Sequence, residues 1–296
     1  MEENYVVASF YKYSYIENPL GLKEKITEFC NFLDIKGRIL LGKEGINGSI
    51  YGSEKSIEKC KEFIMSHNSF SDMEFKEQKS EKIAFRRLLV SVREEIVHFG
   101  IDVDLKNTGK FITPKELKES LSNNKDIVLL DMRNDYESRI GRFKNARPLS
   151  IRNFRDLPKA LHEIEDLKGK NVVAYCTGGI RCEKASAFLR ENGFNNVSQL
   201  KGGILNFGKE CPDTYWEGRC FVFDDRISIP INKSKNDTLN KCEWCNADTD
   251  IYINCHNIKC DKLFICCEEC KFKHNASCCM ECSKSSRRRK KATSLN

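Results

Sequence analysis

A cysteine followed by a glycine-rich loop is the feature of this sequence best suited to chemistry. Cys176 comes directly after the apolar run 172–175, and the loop leads into a predicted helix. Gly178 and Gly179 let backbone N–H groups turn toward the sulfur, and the helix start adds unpaired donors with partial positive charge. Arg181 adds a full positive charge. Because these groups stabilise a thiolate, the sequence predicts a reactive Cys176 with a lowered pKa rather than a structural cysteine.

The predicted active-site loop consists of Thr177, Gly178, Gly179, Ile180 and Arg181. Cys182 lies one residue beyond it and is either a resolving thiol for an oxidised Cys176 or a cysteine packed at the helix start; the sequence favours packing. Glu183 and Lys184 have the composition of exposed charges on the first helical turn, where Glu183 complements the helix dipole.

Two charged residues follow an earlier predicted strand of the same region. Asp131 and Arg133 are two residues apart, so they either pair and brace a neighbouring loop or form a solvated turn. Because the carboxyl ends of parallel strands meet at one edge of a sheet, we expect both side chains to support Cys176.

Alternating predicted elements divide the chain into segments. The order β-α-β-β-α-β in residues 1–100 predicts an α+β ferredoxin-like domain, and we expect this domain to bind RNA. Strands alternating with helices in 122–230 predict an α/β domain whose parallel sheet has helices on both faces. The remaining segments are a connector at 101–121, a polar linker at 231–241, a cysteine-rich module at 242–283 and a basic tail at 284–296.

Ten of the 16 cysteines lie after residue 240. In a reducing compartment this density indicates metal rather than disulfides, and two thiolates separated by two intervening residues can bind one tetrahedral zinc ion. Eight ligands imply two structural zinc ions, which would supply most of the folding energy of so small a module. Sequential and cross-braced pairings both fit, and Cys266 and Cys278 are spare cysteines that can replace a neighbour. The predicted ligands are Cys242, Cys245, Cys255, Cys260, Cys267, Cys270, Cys279 and Cys282.

The composition is that of a globular protein, with 40% hydrophobic and 31% charged residues. No apolar run approaches the roughly 18 residues of a membrane helix, and the acidic start lacks a signal-peptide core. We therefore expect a cytoplasmic protein without membrane contact. The net charge of +7 says little about partners, because metal-bound thiolates would offset much of it.

Local clusters of basic and aromatic residues are the features of the sequence that indicate binding of nucleic acid. Basic side chains contact phosphates and aromatic ones stack on bases. The tail at 284–296 contains the basic run 287–291 and is predicted to be disordered; it contacts RNA, directs nuclear import or is simply solvated. Candidates for an RNA surface in the N-terminal domain are Arg86, Arg87, Arg93, Tyr11, Tyr13 and Tyr15.

Several strings together resemble a known family. Asp131-x-Arg133-x-x-x-Glu137 followed by the Cys176 loop resembles a rhodanese domain, although Gly141-Arg142-Phe143 departs from the Gly-His-Ile of many rhodaneses. Longer strings are more specific, and over roughly residues 5–230 the chain is similar to the rhodanese-domain tRNA uridine 5-hydroxylase family. These strings are 44–49, 176–184, 200–204, 216–218 and 220–226.

The resemblance implies an enzyme that modifies tRNA. Its reaction would be oxygen-dependent 5-hydroxylation of the wobble uridine in the anticodon loop, with Cys176 as the catalytic cysteine and molecular oxygen as co-substrate. The sequence contains no recognisable motif for an organic redox cofactor. We hypothesise that the Cys176 thiolate adds to C6 of the extruded uracil. Two alternatives stay open: a sulfurtransferase that carries a persulfide on Cys176, and a non-enzymatic zinc-containing RNA-binding adaptor. The sequence identifies no protein partner.

Overall fold

The N-terminal domain is a five-stranded sheet covered by two helices on one face. In the computed structural model, which describes residues 4–123, 125–234 and 238–289, the strand order is β4-β1-β3-β2-β5. All neighbours are antiparallel except β2 and β5. The elements are β1 (Tyr5–Tyr13), α1 (Pro19–Phe32), β2 (Lys36–Gly42), β3 (Gly45–Ser53), α2 (Glu54–Met65), β4 (Phe75–Lys79) and β5 (Leu88–Val92).

Side chains alternate across this sheet as the strand period requires. Ile26 of α1 and Ile57 of α2 pack against Phe10, Ile39 and other buried residues of the sheet. The face turned away from the helices carries polar side chains and meets the second domain. The predicted ferredoxin-like arrangement of strands and helices is therefore confirmed.

The second domain is built on a parallel sheet with strand order β6-β11-β10-β7-β9. Its helices cover both faces: α5 packs beside Leu130 and Val172, whereas α3 and α6 pack beside Leu129 and Val173. The predicted α/β architecture is confirmed. The elements are β6 (Lys110–Ile112), α3 (Pro114–Ser122), β7 (Ile127–Asp131), α4 (Asp135–Arg139), β8 (Gly141–Phe143), β9 (Arg147–Pro148), β10 (Asn171–Tyr175), α5 (Ile180–Glu191), β11 (Val197–Leu200) and α6 (Gly203–Glu210).

The segment expected to be a connector belongs partly to this domain. Ser198 pairs with Lys110, which makes β6 a strand of the parallel sheet, and Leu117 of α3 is fully buried in the domain core. A strand of three residues is too short to show a period in the sequence, so this part of 101–121 was wrongly predicted. The segment predicted to be a polar linker at 231–241 also differs from the prediction, because Ile231 and Asn232 at its start are buried.

A small antiparallel sheet joins the second domain to the cysteine-rich module. It has the order β13-β12-β8, with β12 at Trp216–Phe221 and β13 at Ser228–Pro230. In the module, a hairpin packs its Tyr252 and Ile265 against Phe221 and nearby residues. The elements of the module are β14 (Tyr252–Asn254), β15 (Leu263–Ile265), α7 (Glu268–Lys273) and α8 (Met280–Ser283).

The beginning of the basic tail is ordered, contrary to the prediction for 284–296. Arg288 donates to the carbonyl of Ser283 at 2.9 Å, and its backbone bridges to Asn257. Arginine carries five donors, which here satisfy carbonyls at the end of α8. Residues 290–296, including the end of the basic run, lie outside the described residues. In the described part of the chain, none of the helices has the length and apolar character needed to cross a membrane.

Candidate active site

Cys176 lies at the carboxyl end of β10, directly under the start of α5. Its side chain is fully buried, and the backbone N–H of Gly179 donates to its Sγ at 3.1 Å. Gly179 has φ of +105°, a conformation that favours glycine and that turns this N–H toward the sulfur. Ile204 N donates to the carbonyl of Cys176 at 3.0 Å, which fixes the strand end from the side of α6.

The surroundings of Cys176 favour its thiolate. Burial raises the pKa of this thiol, but a hydrogen bond from Cys182, the charge of Arg181 and backbone N–H groups of Arg181 and Gly179 outweigh it, and they lower the pKa to about 5. The pKa of Cys182 is instead raised by burial and by the neighbouring thiolate. Cys182 is packed in the core and donates to Cys176. The predicted packing is observed, and a resolving role for Cys182 stays a hypothesis.

Arg181 is fixed by a carboxylate beneath the loop. Its guanidinium makes a bidentate pair with Glu137, at 2.5 Å from Nη1 to Oε1 and 2.8 Å from Nη2 to Oε2. A planar bidentate pair has one preferred geometry, so it holds the cation near the sulfur. Glu137 lies on α4 and is fully buried. The sequence motif contains Glu137, but its role as the partner of Arg181 could not be read from spacing.

Asp131 and Arg133 form a second buried pair below the loop. Arg133 Nη2 contacts Asp131 Oδ2 at 2.6 Å, both side chains are completely buried, and Tyr175 donates its hydroxyl to the same carboxylate at 2.8 Å. Arg133 also donates to the carbonyl of Gly141. The pair ties β7 to β10 and β8. Asp131 and Arg133 therefore brace the strand end that carries Cys176 and do not reach the cavity described below.

The N-terminal domain closes over the Cys176 loop. Tyr11 of β1 donates its hydroxyl to Glu183 at 3.2 Å, and Tyr13 donates to the carbonyl of Ile180 at 3.5 Å. Burial, followed by the nearby charges, raises the pKa of Tyr11. Burial also raises the pKa of Glu183, which accepts a hydrogen bond from Gln199 as well. Tyr11 of the N-terminal domain is therefore part of the surroundings of the Cys176 thiolate in the second domain.

The RNA surface predicted in the N-terminal domain is not a single surface. Tyr11 and Tyr13 face the Cys176 loop, whereas Tyr15 is 70% exposed. Arg86 is paired with Asp225 of the second domain instead of standing free.

Lys184 is buried between the two domains and pairs there with two partly exposed glutamates. Its Nζ lies 2.9 Å from Glu44 Oε2 and 2.7 Å from Glu95 Oε2, and only 4% of the residue is exposed. Glu44 lies in the turn between β2 and β3 of the N-terminal domain. The expected exposed position of Lys184 is therefore wrong, as is that of Glu183. Both residues would be on the surface of an isolated second domain, and the N-terminal domain covers them.

A cavity of about 640 Å³ separates the open face of the N-terminal sheet from the Cys176 loop. Its volume lies in the range of small-molecule and nucleotide pockets. Three side chains of the N-terminal sheet line it: Arg38, Asn47 and Lys76. Asn47 belongs to the string 44–49, whereas no sequence motif indicated Arg38 or Lys76. The loop contributes Cys176, Thr177, Gly178, Ile180 and Arg181.

Three family models match consecutive parts of the chain. They are the UPF0176 acylphosphatase like domain over residues 5–96, the rhodanese-like domain over 113–210 and the rhodanase C-terminal model over 217–283. A crystal structure of a rhodanese-like domain protein from Staphylococcus aureus is 30% identical, covering 34% of this chain and 94% of that one, with a TM-score of 0.30.

Curated relatives match nearly the whole chain. The tRNA uridine(34) hydroxylase of Staphylococcus haemolyticus is 42% identical over 97% of this chain and 91% of that protein. Proteins of the same name from Enterococcus faecalis and Cytophaga hutchinsonii are 42% and 40% identical over 94% and 95% of this chain, covering 90% of each relative. This chain belongs to the tRNA uridine(34) hydroxylase family. The family resemblance predicted from the sequence is confirmed.

In this hydroxylase family member, the cysteine-rich module brings eight thiols into two groups. Within each group all Sγ atoms lie within 4.8 Å of one another. Tetrahedral zinc with Zn–S bonds of about 2.3 Å would separate its sulfurs by about 3.8 Å. The observed Sγ–Sγ distances of 3.7 Å for Cys245–Cys267 and 3.6 Å for Cys260–Cys278 fit that geometry. The groups are Cys242, Cys245, Cys267 and Cys270, and Cys255, Cys260, Cys278 and Cys282.

The order of these groups is cross-braced, which selects one of the two pairings that the sequence left open. The second group contains Cys278 where the sequence predicted Cys279. Cys279 caps the short helix α8 and accepts a hydrogen bond from the N–H of Cys282 at 3.4 Å. A spacing of two residues favoured Cys279 in the sequence, but the chain before α8 directs Cys278 toward the cluster, with its Sγ 3.9 Å from that of Cys282.

Proposed function

We propose that this chain hydroxylates C5 of uridine 34 in tRNA, with Cys176 as the catalytic thiolate. The observation that supports this most is a buried, activated thiol at one wall of a cavity whose opposite wall is a second domain. A base extruded from the anticodon loop fits such a cavity, because unpaired loop nucleotides cost little to unstack. The reaction also agrees with the name of the relatives. We place the protein in the cytoplasm, where tRNA is modified.

The first chemical step is addition of sulfur to the ring. The Cys176 thiolate forms a bond to C6 of uracil, the C5–C6 double bond opens, and its electron pair moves to C5 and O4 as an enolate. A pKa of about 5 leaves Cys176 ionised at neutral pH, so no separate base is needed for this step. Addition makes C5 nucleophilic.

The enolate then reacts at C5 with oxygen. One oxygen atom becomes the hydroxyl group, and the other leaves as water after taking up two electrons and two protons from a thiol reductant in solution. Loss of the C5 proton and departure of the sulfur from C6 restore the double bond and the free thiolate. In this proposal the residues of the chain hold the base, supply the nucleophile and exclude water from the adduct.

The two cysteine groups would each hold one structural zinc ion. The four thiolates of a group fill a tetrahedral shell and leave no open position for substrate, so the metal would contribute folding energy rather than chemistry. Both groups lie in the C-terminal module, separate from the residues that line the cavity.

A sulfurtransferase needs only a pocket for a sulfur atom and a small donor. The cavity of about 640 Å³, with a wall contributed by the N-terminal domain, favours a nucleotide over a donor as small as thiosulfate. A non-enzymatic RNA-binding adaptor would not need a thiol with a lowered pKa, so the lowered pKa of Cys176 disfavours that alternative.

Covalent trapping tests the proposal directly. A tRNA with 5-fluorouridine at position 34 retains fluorine at C5, which cannot leave as a proton, so the adduct with Cys176 should persist and appear by mass spectrometry. Cys176→Ser should form no adduct, and Cys211→Ser, a buried cysteine outside the cavity, should form it normally. A gain of one sulfur atom on Cys176 after incubation with thiosulfate, with no RNA adduct, would instead support the sulfurtransferase.

A further inference from the structure

Three cations face the cavity without a carboxylate partner. Arg38 lies on β2, Lys76 on β4 and Arg155 in a short 3₁₀ helix of the second domain at Phe154–Asp156. Among the described residues, none of the three forms a salt bridge. Three uncompensated positive charges around one cavity indicate a negatively charged ligand.

Apart from the Cys176 thiolate, the other charged side chains of the cavity are held in ion pairs. Arg181 pairs with Glu137, and Arg226 pairs with Asp224, with Nη2 and Oδ2 separated by 2.6 Å. Asp224 is the one acidic side chain among the described residues lining the cavity. Three unpaired cations against one thiolate leave the cavity with a net positive charge.

The strand register aligns two of the free cations with hydroxyl groups. In the strand register, Arg38 lies opposite Ser49, Ser49 opposite Ser9, and Ser9 opposite Lys76. The four residues therefore form one row across β2, β3, β1 and β4. The hydroxyl oxygens of Ser9 and Ser49 are 2.9 Å apart at its centre. All four line the cavity. Since neighbouring strands are about 4.8 Å apart, the row is about 14 Å long.

Lys76 is the inner end of this row. Its Nζ lies 5.0 Å from the ring centroid of Tyr11, the residue whose hydroxyl contacts Glu183 beside the catalytic loop. Burial lowers the pKa of Lys76, and the negative charges of Glu74, Cys176 and Glu183 oppose that shift. Through its contact with Tyr11, Lys76 therefore lies at the end of the row nearest the Cys176 loop.

We propose that the row Arg38–Ser49–Ser9–Lys76, together with Arg155 on the facing domain, binds the phosphodiester groups on either side of the target nucleotide. The inference rests on the proposed function, because it takes the substrate to be RNA. Arginine and lysine supply charge to phosphate oxygens, and serine hydroxyls donate to them. Phosphate contacts position a strand without reading its bases, so identity of the base is recognised elsewhere, next to Cys176.

The salt dependence of RNA binding tests the row. The full chain carrying Cys176→Ser, which cannot react, would be titrated into a labelled anticodon stem-loop RNA at several salt concentrations. In this background Arg38→Gln, Lys76→Gln and Arg155→Gln should each weaken binding about three- to tenfold and reduce the salt slope by about 0.7 to 1. The loss should be the same for stem-loops with uridine or cytidine at position 34.

Lys25→Gln is the matched control. Lys25 is an exposed cation on α1, on the opposite face of the same sheet, and its loss should change neither affinity nor slope. Thermal unfolding of each variant would show that the domains remain folded. Unchanged affinity and slope in all three row variants, with normal binding by the parent, would overturn this inference and leave the proposed function intact. A parent that binds no RNA at all would overturn both.

Discussion

Tyr11 of the N-terminal sheet donates a hydrogen bond to Glu183, which follows the catalytic loop by two residues, over a distance of 3.2 Å. The contact joins two domains at the position where the thiolate is formed. An alanine at Gly179 would place its Cβ 2.9 Å from the Tyr11 hydroxyl, so the ring packs directly on the loop. The surroundings of Cys176 are thus assembled by contact between the domains and not by the rhodanese domain alone.

Removing the hydrogen bond between Tyr11 and Glu183 should lower the free energy of unfolding, and the effects of substituting the two residues should be coupled. Tyr11→Phe should lower the free energy of unfolding by about 1.5–3 kcal/mol, the range for hydrogen bonds to charged groups. Glu183→Gln should cost less, since its amide still accepts from Tyr11. A double-mutant cycle measured by urea unfolding should give a coupling energy above about 0.5 kcal/mol. Strict additivity of the two substitutions would show that the contact does not form in solution.

Alkylation of Cys176 should follow the titration of a thiol with a pKa of about 5. A lowered pKa means that the reactive thiolate is present above that pH and is lost by protonation below it, so the rate should be at a plateau at pH 7 and fall as pH drops through 5. The rate is followed with iodoacetamide by mass spectrometry of the Cys176 peptide.

Arg181→Lys removes the planar cation near the sulfur. The pH at the midpoint of the Cys176 alkylation curve should therefore rise. Cys182 should stay unmodified, because it does not line the cavity that Cys176 faces and because burial raises its pKa. A midpoint for Cys176 near the value of about 8.5 for a free cysteine would contradict the site described above.

Gly203 holds the catalytic loop by close backbone contact. Its φ is +64°, and a Cβ there would lie 2.4 Å from the carbonyl oxygen of Cys176 and 2.7 Å from that of Thr177. Gly203→Ala should therefore displace the loop, raise the pKa of Cys176 and lower the melting temperature by several degrees. Gly169→Ala is the control, since no atom lies within 4 Å of its added carbon. Equal melting temperatures for the two variants would refute the packing role.

Zinc content should distinguish Cys278 from Cys279. Cys278→Ser removes a member of the second group and should reduce bound zinc from two ions per chain toward one, whereas Cys279→Ser should retain both. The ring of Trp244 stacks on His274 at 3.7 Å, so loss of the module's structure should also shift tryptophan emission to longer wavelength. Zinc is measured by mass spectrometry of the metal. Loss of zinc in Cys279→Ser alone would reverse the assignment.

The features predictable from sequence are those encoded locally. The strand, glycines and helix around Cys176 are consecutive in the chain, so their order alone predicted an anion-stabilising loop. Tyr11 and Tyr13 are two residues apart and share one face of β1, and Tyr15 lies beyond the end of that strand. The sequence does not say what this face of β1 meets. Lys184 was misassigned for the same reason: its partners lie 140 and 89 residues away.

The zinc module shows the same limit at smaller scale. Pairs of cysteines separated by two or four residues predicted two metal sites, because such spacing lets two sulfurs reach one ion. The interleaved order of the pairs and the choice of Cys278 depend on how the hairpin and the short helix α8 pack. Those contacts are set by tertiary structure, and no local spacing reports them.

The central claim is that Cys176 carries out hydroxylation of uridine 34, and nucleoside mass spectrometry of tRNA tests it most directly. Cells of the source organism that lack this gene would be rescued with the wild-type chain or with Cys176→Ser. We predict that 5-hydroxyuridine at position 34 returns with the wild type and stays absent with Cys176→Ser. Equal recovery with both chains would contradict the role of Cys176, and no recovery with either, accompanied by changes only in thiolated nucleosides, would contradict the hydroxylase function itself.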